Sequence, residues 1–192
     1  MEKGISMIET MSDFIKKVDG LGIEYMVTGS YAMGAYGEIR MTRDVEVIVQ
    51  LAEKHIEPFV DRFKDEYYVS EGSIRRAIDR RSMFNIVSQM HGGKIDCIIQ
   101  KDTDFARTSF ARRYRENVAG IEFWTTTKED LIIAKLNWAK DTGSEMQIRD
   151  IANLTTSEYD SDYVSDWTKR LGLGEIWKEV ELWKTQHKRQ DN

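Results

Sequence analysis

The sequence predicts an α+β fold: a mixed β-sheet flanked by helices, followed by a C-terminal helical bundle. Three observations carry that prediction. Short runs rich in β-branched and aromatic residues recur through the first two thirds. Helical patterns fall between them. From Thr127 onward every segment has helical periodicity, broken at Gly143, near Ser157 to Asp160 and at Gly172 to Gly174. The expected division is a core over residues 1–126 and a helical region over 127–192 packed on it.

In chain order, MEKGISMIETMSDFIKKVDG reads as an amphipathic helix, with Ile5, Ile8, Phe14, Ile15 and Val18 on or near one face. Residues 23–28, IEYMVT, read as a buried strand, and Gly29-Ser30 turns the chain into a short helix, SYAMGAY. Asp44 to Val49 is the next strand. LAEKHIEPFVDRFKDE is a helix in which Pro58 must sit near the start or kink it. YYVS, MFNIVSQM and KIDCIIQ are three further strands, the last two joined by a His91-Gly92-Gly93 hairpin turn. GSIRRAIDRRS, between the first two of these, is a short helix or an irregular loop. DTDFARTSFARRYREN reads as a basic helix, and IEFWTT as the final strand. Thr127 followed by acids in the first turn caps the helix that starts the last third. Trp138, Trp167, Trp177 and Trp183 fall at helical spacing among apolar residues, as core tryptophans would.

With 192 residues, the chain can bury roughly two thirds of its unfolded surface. No apolar run approaches the roughly 20 residues that cross a bilayer, and the N-terminus lacks a signal-peptide core, so no membrane partner is expected. One cysteine, Cys97, has no partner for a disulfide or a thiolate metal site, which suits a reducing cytoplasm. The three histidines (55, 91 and 187) are too dispersed for a zinc site. The net charge of −5 does not suggest a polyanion partner. Its distribution is uneven, however: residues 75–115 hold ten basic residues against four acids. Such a segment is either a set of solvated faces or an electropositive wall for a nucleotide or nucleic acid.

The chemistry centres on D44-V-E46. Acids are disfavoured in strands, and alternation aims Asp44 and Glu46 at one face while Val45, Val47 and Val49 take the other. Two neighbouring carboxylates repel unless a cation lies between them, and an all-oxygen site suits Mg²⁺ or Mn²⁺. Asp96, inside the apolar run I95-D-C-I-I, also needs a cation or a hydrogen-bond network; an ion pair with Lys94 or an arginine would serve equally. Should its strand lie beside that of Asp44, three carboxylates converge, as two-metal phosphoryl transfer requires. Gly29 and Ser30 open a helix and offer N–H groups and a hydroxyl to phosphate. Arg40 and Arg43, just before the acidic strand, are further candidate phosphate contacts.

The pattern G29-S30, thirteen residues, then D44-V-E46-V resembles the signature of nucleotidyltransferases of the DNA polymerase β superfamily. That resemblance implies a nucleotidyltransferase-like mixed sheet and Asp44 and Glu46 as metal ligands. It makes Asp96 the third carboxylate, which orients or deprotonates the attacking hydroxyl. Glu46 stands where the family more often has Asp. The stretch KEDLIIAKLNWAK…SEMQIRDIANL…DYVSDWTKRLGL is similar to the helical tail of small bacterial AbiEii- and MenT-type proteins of toxin–antitoxin and abortive-infection systems. By motif position it implies that Lys135, Arg149 and Asp150 line a nucleotide pocket. From spacing alone, Lys135 lies on an apolar helix face, as a snorkelling lysine or as a triphosphate clamp.

The expected function is therefore Mg²⁺-dependent transfer of a nucleoside monophosphate from an NTP to a hydroxyl. The acceptor would be a tRNA 3′ end or a protein side chain, with a cognate antitoxin as a further partner. The alternative is a catalytically weak or inactive nucleotide-binding module that acts through a protein partner.

Overall fold

A computed structural model describes residues 2–38, 44–118 and 120–187. Arg40 and Arg43 lie outside the described residues. The chain divides into two compact units, residues 1–126 and 127–192.

The first unit runs α1 (Glu2–Gly20), β1 (Tyr25–Thr28), α2 (Gly29–Ala32), β2 (Asp44–Val49), α3 (Ile56–Phe63), β3 (Tyr67–Tyr68), α4 (Glu71–Arg80), β4 (Met83–Ser88), β5 (Lys94–Ile99), α5 (Asp104–Ala111), β6 (Tyr114–Val118) and β7 (Ile121–Thr125). Its strands form one mixed sheet in the order β3-β4-β5-β2-β1-β7-β6. β2 pairs in parallel with β5 and antiparallel with β1. Alternation along these strands gives the sheet two unlike faces. One presents Val45, Val47, Val49, Ile95, Cys97, Ile99, Phe84 and Ile86, and α1, α3 and α4 bury it with Met11, Phe14, Phe59, Phe63 and Ile74. Phe59 and Phe63 stack at 4.3 Å between ring centroids, and Phe14 lies 5.7 Å from Phe63. Each such ring removes an apolar side chain from water, a gain of about 1.5–3 kcal/mol. The other face carries the acids.

Local signals account for several element ends. Ser70 accepts a hydrogen bond from the Ser73 N–H and starts α4, so that the stretch left open as helix or loop is helical up to Arg80 and ends in a left-handed cap at Arg81. Pro58 sits in the first turn of α3, where its missing N–H is harmless; that helix begins at Ile56, after a 3₁₀ turn at Glu53–His55, and not at Leu51.

Two expectations are corrected. The basic helix over 102–117 stops at Ala111, and Tyr114–Val118 forms an edge strand antiparallel to β7. YRENV is polar because an edge strand keeps much of its surface in water. Trp138 is 51 % exposed and so is not core, whereas Trp167 is buried.

The second unit holds α6 (Lys128–Thr142), α7 (Glu145–Leu154), α8 (Ser161–Arg170) and α9 (Gly174–His187). The Thr127 hydroxyl accepts from the Asp130 N–H and caps α6; Gly143, at φ +66°, ends it with its N–H bonded to the Ala139 carbonyl. α6 packs against α7 and α8, and α7 against α9.

Candidate active site

β-sheet register decides whether the three carboxylates meet. Glu46 lies opposite Asp96 across the parallel β2–β5 pair, Asp96 opposite Asn85 of β4, and Glu46 opposite Thr28 of β1. Directly opposed residues share a face, so Asn85, Asp96, Glu46 and Thr28 form one row. Asp44 and its opposite number Lys94 stand in the adjacent row on that face. Asp44 and Glu46 are half-buried and Asp96 is buried at 7 % exposure.

The Lys94 Nζ lies 3.0 Å from Asp44 Oδ2 and 3.0 Å from Asp96 Oδ2. A protein cation thus stands between two of the three acids. Burial acts to lower the Lys94 pKa, but the hydrogen bonds it donates to Asp96 and Asp44 outweigh it and hold the ammonium above its ordinary range. The second oxygen of Asp96, Oδ1, is buried with no hydrogen-bond partner. Such an orphaned carboxylate oxygen is costly, and it is the observation that argues for a cationic or proton-donating ligand here. The donor set is all oxygen and fits Mg²⁺ or Mn²⁺ in kind. Among the described residues, though, no three His, Cys, Asp or Glu side chains are already arranged as a metal shell.

Gly29 has φ +65°, and a Cβ built there would fall 1.5 Å from Glu46 Oε2. Its missing side chain is therefore what lets the Glu46 carboxylate reach the start of α2. Gly29→Ala is expected to destabilise the protein by at least about 1–2 kcal/mol, from the left-handed backbone alone, and to push Glu46 aside. Urea unfolding checks the first effect; an unchanged midpoint would contradict it. Ser30, the next residue, is half-buried in this four-residue helix. Beyond it, the Tyr36 hydroxyl donates to the Thr126 carbonyl at 2.6 Å and accepts from the Tyr114 hydroxyl at 3.1 Å, which pins the segment after α2 to the β6–β7 side of the sheet.

Lys135, Arg149 and Asp150 belong to the second unit. Lys135 and Asp150 are both buried, and the Lys135 ammonium lies 2.8 Å from Asp150 Oδ2 and 3.0 Å from Gln147 Oε1. Each charge satisfies the other. Arg149 is exposed.

The basic stretch 75–115 is matched by acids in part, at Lys94 and four of its arginines. Arg75 pairs with Glu53 and Glu71, Arg107 with Asp102 and Asp104, Arg113 with Glu24 and Arg115 with Glu122. An exception is the cleft of about 290 Å³ between α4 and β4, lined by Ser73, Arg76, Arg80, Ser82 and Asn85. Sequence reasoning did not single out this cleft or the two-carboxylate reach of Lys94; the lysine's place opposite Asp44 could be found only from the strand pairing.

The fold has counterparts among solved structures. An antigenic nucleotidyltransferase-like protein from Paracoccidioides brasiliensis superposes with a TM-score of 0.54 over 90 % of this chain and 92 % of its own, at 16 % identity. The fold is nucleotidyltransferase-like. The antibiotic-resistance factor ANT(2″)-Ia matches at a TM-score of 0.57 over 97 % of this chain and 100 % of its own, at 11 % identity. A structure of ANT(2″)-Ia in complex with adenylyl-2″-tobramycin matches at 0.51, over 94 % and 98 %, at 11 % identity. By sequence, no protein-family model and no curated protein matches the chain. Among the described residues no helix is long and apolar enough to cross a membrane.

Proposed function

We propose that the protein is a nucleotidyltransferase that moves a nucleoside monophosphate from an NTP to a hydroxyl acceptor. The observation that carries this reading is the placement of Asp44, Glu46 and Asp96 on one face of adjacent strands, with an unpartnered buried oxygen on Asp96, in a nucleotidyltransferase-like fold. Asp44, Glu46 and Asp96 would hold Mg²⁺, which when bound neutralises charge on the phosphoryl group being transferred. Gly29 and Ser30 offer the backbone N–H and the hydroxyl for the β and γ phosphates. Asp96 takes the acceptor's proton. The acceptor oxygen then bonds to the α-phosphorus, the bond from that phosphorus to the bridging oxygen breaks, and pyrophosphate carries away the electron pair.

The acceptor class we favour is a phosphate-bearing one, supported by Arg76 and Arg80 of α4, whose cleft with β4 ends at Asn85, although α4 itself packs on the sheet face opposite the acids. Two guanidiniums suit a phosphate-bearing acceptor, such as a tRNA 3′ end. This is the version compatible with a role in a toxin–antitoxin or abortive-infection pair, acting in the cytoplasm. A protein side chain is the other hydroxyl source. A steep fall of tRNA affinity with salt is the outcome expected for RNA.

A second reading is a nucleotide-binding module without turnover, favoured by the ammonium already seated between Asp44 and Asp96. Thermal melting with each NTP, with and without Mg²⁺, tests the shared part of both. A Mg²⁺-dependent rise in Tm of the wild type, absent in Asp44→Ala, is expected. No rise with any nucleotide would leave a plain structural domain.

A further inference from the structure

We propose that Lys94 is a resident counter-ion of the carboxylate site, which a divalent cation must displace and which the nucleotide's phosphates then receive. The inference rests on the nucleotidyltransferase reading and adds to it a residue that couples metal binding to nucleotide binding.

The argument begins with the strand. Lys94 and Asp96 are two residues apart on β5 and so point to the same face, while the β2–β5 register sets Lys94 opposite Asp44. Both acids therefore fall within reach of one ammonium, and Nζ takes Oδ2 of each at 3.0 Å. With its side chain 35 % exposed, Lys94 can also withdraw, because its four-carbon stem carries a compact charge that is free to reorient.

A divalent cation and an ammonium cannot share these oxygens. Mg²⁺ sits about 2.0–2.1 Å from its ligands, so an ammonium bound to the same carboxylates would face it within a few ångströms and be repelled. A cation that enters at the unpartnered Asp96 Oδ1 thus works against the Lys94–Asp44 and Lys94–Asp96 contacts, and the ammonium gives them up. The displaced ammonium needs a new anion, and a polyphosphate arriving with the metal supplies one. Metal and nucleotide then bind with positive coupling, and each raises the other's affinity by the same factor. Free metal alone is held off.

Lys94→Met separates the two halves of this role. Without nucleotide, the variant is expected to bind Mn²⁺ about tenfold or more tightly than the wild type, as loss of a competing charged contact implies. Its affinity for a non-hydrolysable NTP analogue in the presence of Mn²⁺ should fall by a similar factor. A merely structural lysine would not move the two affinities in opposite directions. Mn²⁺ binding is read from the free-ion electron paramagnetic resonance signal, with circular dichroism to establish that each variant is folded. Lys94→Gln, polar but uncharged, should shift both affinities in the same directions as Lys94→Met and keeps the test informative should Lys94→Met fold poorly. Equal Mn²⁺ binding by wild type, Lys94→Met and Lys94→Gln, with binding lost in Asp44→Ala, overturns the counter-ion proposal and leaves the metal reading intact. No Mn²⁺ binding by any variant, with or without nucleotide, overturns both.

Discussion

Asp96→Asn is expected to lower nucleotidyl transfer by about 10²–10⁴-fold, the range that a positioned proton acceptor contributes. The substitution is nearly isosteric. Asparagine can still accept a hydrogen bond from Lys94 through one oxygen, so the row of Asn85, Asp96 and Glu46 keeps its shape. What it removes is the capacity to take a proton from the acceptor hydroxyl, together with one negative charge. Because Asp96 is also a proposed metal ligand, nucleotide affinity should fall as well, but by less than transfer, and initial rates beside equilibrium nucleotide titrations separate the two. Transfer at the wild-type rate would mean that Asp96 answers only to Lys94.

The second large effect concerns stability. Lys135→Met leaves the Asp150 carboxylate buried without its ammonium, since both side chains are 5 % exposed or less. Breaking one partner of a buried pair costs about 3–5 kcal/mol, whereas replacing both by apolar groups is often neutral. Urea unfolding should thus show a large loss for Lys135→Met and a recovery of most of it in Lys135→Met/Asp150→Leu. A loss under about 1 kcal/mol, the size of an ordinary surface pair, together with weakened nucleotide binding, would instead support Lys135 as the phosphate ligand expected from the sequence.

These two cases also show what was legible in the sequence. The acids of β2 stood out because Asp44 and Glu46 interrupt a strand whose alternate residues are all valine, and Asp96 because it lies between Ile95 and Cys97. Their convergence was conditional. It depends on β5 lying beside β2, with Glu46 opposite Asp96, a pairing between residues fifty positions apart that no local pattern encodes. Lys94 was visible as a possible partner for Asp96, but its hold on Asp44 needed the same register. Lys135 revealed itself by sitting on an apolar helix face, while its partner Asp150 comes from the next helix and depends on how α6 meets α7.

The errors have equally local causes. The Tyr114–Val118 strand hid behind its charges, because an edge strand need satisfy only one neighbour. Trp138 follows the helical spacing of its neighbours, yet α6 buries Leu131, Ile132, Lys135, Leu136 and Ala139, and position 138 falls outside that stripe. Gly29, by contrast, is no error: beside the phosphate approach expected of it, the structure gives it a second reason, since only a residue without a Cβ admits the Glu46 carboxylate.

The central claim, that the Asp44–Glu46–Asp96 face transfers nucleotides, is tested most directly by incubating the protein with Mg²⁺ and each α-³²P-labelled NTP, with total tRNA, cell extract or neither, beside Asp44→Ala. Label carried onto one macromolecule by the wild type and lost in Asp44→Ala is the predicted result. Equal labelling by the two proteins, or Mg²⁺-dependent nucleotide binding with no transfer to any acceptor offered, would contradict it.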